Sequence, residues 1–376
     1  MKKNQKDKQL LDAAKKLQVS RRASLLLGAG WLMGMAGCGG GNGTADKNNS
    51  DSANSGSPAL VTPPVYKAVQ TFASGGLLTP SGVAVDSQGV VYVADQNNHV
   101  IRKISASGNI STFAGVLGQG PGFVDGPGTS ASFSSPFGVA VDQQFNVYVA
   151  DSGNNAIRKI KPDGTVSTLA GVSSGQAGNN DAGAAQALFN IPNGVAVDKN
   201  STVYVADWGN NLVRQISTVG VVSTLAGGVT SGSTNANVGS ALFQNPYGVA
   251  VDENLNTYVA DTGNNLILLI KPNGDVSLFA GGTPSLSDGI AGSASFDGPQ
   301  GIAVDSNGYI FVGDTNNNAI RMITPQGLVS TVASTNASGT TLQASLSYPA
   351  GLALDAAGNI FVADTFNNQI VKIVRA

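Results

Sequence analysis

Few side chains in this 376-residue chain could do acid–base, nucleophilic or metal chemistry. There is one histidine (His99), one cysteine (Cys38) and one glutamate (Glu253), against many aspartates. A single imidazole cannot build a zinc site from clustered histidines, nor a multi-histidine lyase centre. A single cysteine leaves no internal disulfide possible. Calcium needs only oxygen ligands, so Asp and Asn could supply a site, but no local loop has the spacing of one. No cofactor and no metal ligand is therefore assigned.

The aspartates are numerous because they recur. Asp86, Asp142, Asp198, Asp252, Asp305 and Asp355 each end a run like Gly82-Val-Ala-Val-Asp86, at spacings of 56, 56, 54, 53 and 50 residues. A short aspartate there can cap its own turn. A second set, Asp95, Asp151, Asp207, Asp261, Asp314 and Asp364, ends runs like Val91-Tyr-Val-Ala-Asp95. Seven residues after these stand Arg102, Arg158, Arg214, Leu268, Arg321 and Val371, which points to a structural Asp–Arg pair in four of six copies. Sixfold recurrence is a property of architecture. A catalytic site needs a few residues once.

The elements that carry these residues are short. Each unit holds four β-branched runs separated by turn residues, as in residues 82–86, 91–95, 98–104 and 109–115. With 12% charged residues and 49 glycines, the composition suits many strands joined by tight turns. Four-stranded units repeating at about 50 residues predict an all-β fold, a six-bladed β-propeller. The chain ends after the third run of the sixth unit, and Val69-Gln-Thr-Phe-Ala73 matches the missing fourth run. The N-terminal strand should therefore complete the last blade and close the ring.

Asp151-Ser-Gly-Asn-Asn-Ala-Ile-Arg158 and its siblings resemble the core of NHL repeats, within the TolB-like group of six-bladed propellers. The resemblance covers about residues 66–376. It implies the fold but not the activity, since such propellers serve as RNA binders, lyases, sensor domains and scaffolds. The divalent-metal set of the gluconolactonase-like relatives, Glu, Asn and Asp along the channel, is not matched residue by residue. His99 fills a slot held elsewhere by Asn155 or Asn211, which makes it structural.

Strand alternation puts the second-to-third turns and the blade-to-blade loops on one face, and that face carries the long insertions. Phe133, Phe189, Phe243, Phe296 and Leu346, each three residues before a proline, are expected to plug the seams between blades. Asp125, Asp181 and Asp288 lie eight residues before a plug, with Asn237 at the comparable place in the fourth unit, and are expected to steady loop turns. The candidate site residues are those that break the repeat. Immediately before each inner-strand glycine stand Ser81, Phe137, Asn193, Tyr247, Gln300 and Ala350, which should ring the channel mouth. Phe137, Asn193, Tyr247 and Gln300, joined by Trp208 from an Asn-rich turn, are the candidate ligand-binding residues. Phe366 adds apolar surface on that face.

The first 37 residues read as an export signal: eight Lys or Arg by Arg22, an apolar run from Ala23 to Gly37, then Cys38. Met35-Ala-Gly-Cys38 resembles a bacterial lipobox, which makes Cys38 the lipidation site. Ser20-Arg21-Arg22-Ala-Ser-Leu25 partly resembles a twin-arginine export signal, with general secretion the alternative route. Residues 38–64 then form a lipidated, flexible tether and 65–376 the propeller. From residue 38 onward the chain has 13 Lys or Arg and 21 Asp or Glu, a net charge of −8 with no basic stripe, so nucleic acid is not expected as a partner. The expectation is a monomeric, non-catalytic binding or scaffold module, held at an envelope membrane by its lipid, with a protein, peptide or small polar ligand on the insertion face. The alternative is a channel-mouth hydrolase or lyase acting on a sugar or lactone, with calcium as its conceivable ion.

Overall fold

The computed structural model describes residues 62–228, 230–232 and 242–376. Arg21, Arg22, Cys38, most of the tether and Asn237 lie outside the described residues. Within the unit Leu60–Ala376 the chain forms six sheets built on one plan, antiparallel except where Leu342–Gln343 pairs parallel with Leu328–Ser334. In the first blade the inner strand is Pro80–Val85, the second Val91–Asp95, the third Val100–Ile104 and the outer Ile110–Ala114. The remaining inner strands are Pro136–Val141, Pro192–Val197, Pro246–Val251, Pro299–Val304 and Pro349–Leu354. The expected closure is present. Tyr66–Ser74 pairs antiparallel with Gln369–Arg375, which makes the N-terminal strand the outer strand of the sixth blade. The only helical segments among the described residues are short 3-10 turns, and no helix there is long and apolar enough to cross a membrane.

Every residue of each second strand is buried, because each blade is covered on both faces. That explains why these strands read as continuous apolar runs rather than alternating ones. The two faces still differ. Tyr92, Ala94 and Ile101 of the first blade pack on Val139, Val147, Val149 and Ile160 of the second. The same aromatic-and-alanine face meets a β-branched face where Phe361, Ala363 and Ile370 of the last blade pack on Val83, Val91, Val93 and Ile104 of the first. Phe133, Phe189, Phe243 and Phe296 are fully buried and Leu346 nearly so, as expected of plugs. Truncating one of them to alanine would cost about 3–5 kcal/mol.

At the centre the inner strands touch through glycine. A Cβ on Gly82, Gly138, Gly194, Gly248, Gly301 or Gly351 would collide with a backbone carbonyl of the next blade: that of Phe137, Asn193, Tyr247, Gln300, Ala350 or Ser81 respectively. The invariant glycine of the repeat is thus a ring-closing contact.

The Asn-rich turn is a second sixfold device. His99, Asn155, Asn211, Asn265, Asn318 and Asn368 follow their 3-10 turns in the left-handed conformation. Each side chain accepts the backbone N–H of the residue before the next blade's inner proline. His99 Nδ1 takes that of Ser135 at 2.9 Å, and the asparagine Oδ1 atoms take Ile191, Asn245, Gly298, Tyr348 and Thr79 at 2.7–2.9 Å. The non-glycine residues that donate these N–H groups themselves have φ between 47° and 58°, including the β-branched Thr79 and Ile191. Such backbone is strained for branched residues and is held here by the clamp. His99 is one of the six clamps.

The repeated aspartates are architectural too. Asp86 Oδ1 accepts N–H groups of Gln88 and Val90 in its own turn, and its five siblings do the same in theirs. Asp151 is wholly buried, accepts the Ser134 N–H and the Asn154 amide, and pairs with Arg158 at 2.7 Å. Burial outweighs the arginine and raises the carboxyls of Asp151, Asp207 and Asp314 to about 6. Asp261 has Leu268 in the slot that holds the arginine in those blades, and burial carries it to about 7. The loop aspartates do more than steady turns. Asp125, Asp181 and Asp288 are the second carboxylates of Arg158, Arg214 and Arg321, at 2.6, 2.5 and 2.8 Å.

Candidate functional site

The insertion-bearing face is organised around the end of the central channel. Ser81, Phe137, Asn193, Tyr247 and Gln300 line one cavity there, with the inner-strand glycines and the valines, isoleucine and leucine behind them. Of the five ligand-binding candidates, the structure brings four together: Phe137, Asn193, Tyr247 and Gln300. Trp208 does not line this cavity. It opens the 3-10 turn of the third blade, half-buried, where Ser152, Thr262, Thr315 and Thr365 stand in other blades. Those hydroxyls donate to the carbonyls of Pro192, Pro299, Pro349 and Pro80, so the third blade forgoes that inter-blade bond to carry an indole.

The mouth is asymmetric. On one side Phe137 and Tyr247 meet edge to face across the third blade, with ring centroids 4.8 Å apart and planes at 88°. Between their blades, Asn193 is buried and accepts only a long hydrogen bond from Ser152 Oγ, 3.5 Å. Burial, with Tyr348 nearby, raises the Tyr247 phenol well above its ordinary value, so it stays protonated. On the other side Gln300, 5% exposed, donates its Nε2 to the Tyr348 hydroxyl at 2.8 Å. Its Oε1 is buried without a hydrogen-bond partner. Ser81 is spent on structure, its Oγ donating to the Phe137 carbonyl at 3.0 Å. Ala350 is buried and offers only a methyl group.

Tyr348 was missed by reasoning from inner-strand positions alone. It sits one residue before the inner proline, where siblings are Thr79, Ser135, Ile191, Asn245 and Gly298, and its left-handed backbone (φ 58°) throws the phenol toward Gln300. Being the one aromatic in that column was the available signal. Its ring stacks on Phe366 at 4.5 Å and 13°, and Phe366 is 62% exposed. The mouth therefore offers aromatic faces, phenol and amide groups, and one unpaired acceptor, and among the described residues that line it there is no carboxylate, imidazole or ammonium group. Among the described residues no group of three or more His, Cys, Asp or Glu is arranged to hold a metal ion.

At the opposite end, Asp142, Asp198, Asp252, Glu253 and Lys199 surround a second cavity. Glu253 is exposed and pairs loosely with Lys199 at 3.7 Å. The aspartates there are occupied by their own turns.

Comparison with known proteins agrees with the architecture. The NHL repeat pattern matches residues 77–104, 189–216, 296–321 and 346–373. The protein SUPPRESSOR OF QUENCHING 1 of Arabidopsis thaliana is 30% identical over 67% of this chain and 26% of its own length. NHL repeat-containing protein 2 of Gallus gallus is 28% identical over 67% of this chain and 40% of its own. The chain thus spans well under half of either relative. Among solved structures, a protein of unknown function from Bacteroides thetaiotaomicron has a TM-score of 0.62 at 20% identity, covering 82% of this chain and 76% of that one. An auxiliary nutrient binding protein from the same organism has 0.60 at 16%, covering 82% and 76%. A gluconolactonase from Xanthomonas campestris has 0.58 at 16%, covering 85% and 97%. At these identities the structures speak for the fold alone. The chain carries NHL repeats and folds as a six-bladed β-propeller.

Proposed function

We propose that this propeller is a binding module, and that its ligand seats over the channel mouth with a hydrogen-bond donor on Gln300 Oε1. One observation carries the reading: a buried amide oxygen left unpaired beside an aromatic pair. Buried acceptors are nearly always satisfied, and leaving one open costs about 1–3 kcal/mol. A ligand hydroxyl or amide that reaches it recovers that cost, while Phe137, Tyr247 and the Tyr348–Phe366 stack cover an apolar face of the same ligand. The absence of charge at the mouth favours a neutral molecule, a sugar or an uncharged peptide segment, over an ionic one. The nutrient binding name carried by one fold neighbour is consistent with this class.

Membrane display through a lipid on Cys38, at the envelope of a bacterium, is the second part of the proposal. It rests on the Met35–Cys38 motif behind a basic and then apolar N-terminus. Export by the twin-arginine or the general route, and the monomeric state, belong to the same reading.

The gluconolactonase among the fold neighbours is the observation favouring a second reading, hydrolysis of a sugar lactone. One screen separates the two. The full chain is challenged with neutral mono- and oligosaccharides, uncharged peptides and sugar lactones, with calcium present and absent, while melting temperature and lactone consumption are both followed. A melting rise without turnover supports the binding module. Turnover that depends on the mouth residues supports the enzyme.

A further inference from the structure

Arg102 is an anomaly within the repeat. Its residue is 7% exposed, yet Nη1 has no hydrogen-bond partner, unlike that of its siblings, and its ion pair with Asp95 Oδ2 is long at 3.9 Å; its Nε is also without a partner, as in Arg158 and Arg321. In the second, third and fifth blades the same arginine is held by two carboxylates. Arg158, Arg214 and Arg321 pair with Asp151, Asp207 and Asp314 on one side and with the loop aspartates Asp125, Asp181 and Asp288 on the other. Each loop aspartate also accepts the backbone N–H and the hydroxyl of an outer-strand threonine: Thr168, Thr224 or Thr331. The residue after it then lies along that outer strand. Gly126 bridges to Val166, Ala182 pairs with Val222 and Gly289 with Val329.

The loop aspartate always precedes its arginine by 33 residues. The same count back from Arg102 reaches Val69, inside the strand that closes the sixth blade, so the first blade has no such loop. Its receptor half is nevertheless complete. Arg102 faces Thr112 in the register that joins Arg158 to Thr168, and Ile110 stands in the place of Val166. Thr112 is exposed, and among the described residues no strand lies beyond Ile110–Ala114. The fourth blade shows the contrast: where the arginine is Leu268, the facing residue is Leu278. The first blade keeps both arginine and threonine.

We propose that the outer edge of the first blade docks an extended acidic peptide from a partner protein, which adds as a short strand and sets an aspartate between Arg102 and Thr112. The chemistry of the occupant is read from this chain's own loops, where Asp125-Gly126, Asp181-Ala182 and Asp288-Gly289 fill the same position in three other blades. Charge complementarity supplies the anchor, since a buried guanidinium gains hydrogen bonds and a counter-charge at once. Edge pairing supplies the rest. This site is separate from the channel mouth, and its failure would leave that reading untouched.

The probe is a fluorescent peptide with the sequence of residues 123–133, Phe-Val-Asp-Gly-Pro-Gly-Thr-Ser-Ala-Ser-Phe, titrated with the full chain and followed by anisotropy. Saturable binding is expected. It should weaken about tenfold or more when the peptide aspartate is asparagine, and by a like factor in Arg102→Gln. Thr112→Val, on the exposed edge, should weaken it with melting unchanged, and decides the matter should Arg102→Gln fail to fold. Phe137→Ala should leave binding as it is. No saturable binding, or equal binding by the asparagine peptide or by Thr112→Val, overturns the proposal.

Discussion

Asp261, like Asp364, is a buried carboxylate that the repeat leaves without its arginine, and stability should record it as a dependence on pH. Its side chain accepts the Gln244 N–H and the Asn264 amide, both at 2.7 Å, while the arginine slot on the third strand holds Leu268. Burial raises the carboxyl from 3.8 to about 7. A group whose pKa is higher folded than unfolded stabilises fully below its unfolded value and loses that contribution as pH rises through the folded one. The window is therefore about pH 4 to 7. Three pK units correspond to about 4 kcal/mol at most, of which roughly 3 kcal/mol should be lost between pH 5 and 8.5. Asp261→Asn removes the titration while keeping the Gln244 bond. Its new amide faces that of Asn264, which is also tied to the Gly232 carbonyl, so about 1 kcal/mol should be lost at low pH. The variant should thus melt slightly below wild type at pH 5 and above it at pH 8.5. Denaturant unfolding across that range measures the crossover. Parallel curves for the two proteins, or a variant weaker at every pH, would refute the reasoning.

Other outcomes test the architecture. Gly248→Ala puts a methyl group into the Gln300 carbonyl of the next blade and should cost several kcal/mol, read as a large drop in melting temperature. His99→Asn should melt like wild type, because five sibling clamps use asparagine, whereas His99→Leu should lose about 1–2 kcal/mol; equal effects would remove His99 from the clamp. Removing the chain through Ala73 bares the edge of Gln369–Arg375, so this truncation should aggregate or lose several kcal/mol, while a cut ending at Pro64 should not; identical melting would contradict ring closure. Cys38→Ser should abolish incorporation of labelled fatty acid and release the protein from membranes; retention would end the lipoprotein proposal.

The ring was legible because six copies repeat one instruction. A glycine that must approach the next blade, an aspartate that must cap its turn and an asparagine that must hold the next proline corner each recur with their spacing, so blade number and closure could be counted. The placement of Phe137, Asn193, Tyr247 and Gln300 followed from that register. What escaped was long-range and singular. Tyr348 reaches Gln300 at the mouth from a left-handed corner outside the inner strands, and Trp208 stays out because its slot faces a neighbouring proline corner. The role of Asp125, Asp181 and Asp288 was hidden by a 33-residue separation from their arginines, although that spacing occurs three times. The uncovered edge of the first blade is visible only after those loops are seen lying on the others.

The channel-mouth reading is tested most directly by the affinity of a ligand from the screen for Gln300→Leu, a change that keeps side-chain bulk but deletes the open acceptor. Binding should weaken about tenfold or more, while stability falls by only about 1 kcal/mol, because the deleted oxygen has no partner within the protein and only the Nε2 bond to Tyr348 is lost. An affinity equal to that of wild type, in a variant that still folds, would contradict the account.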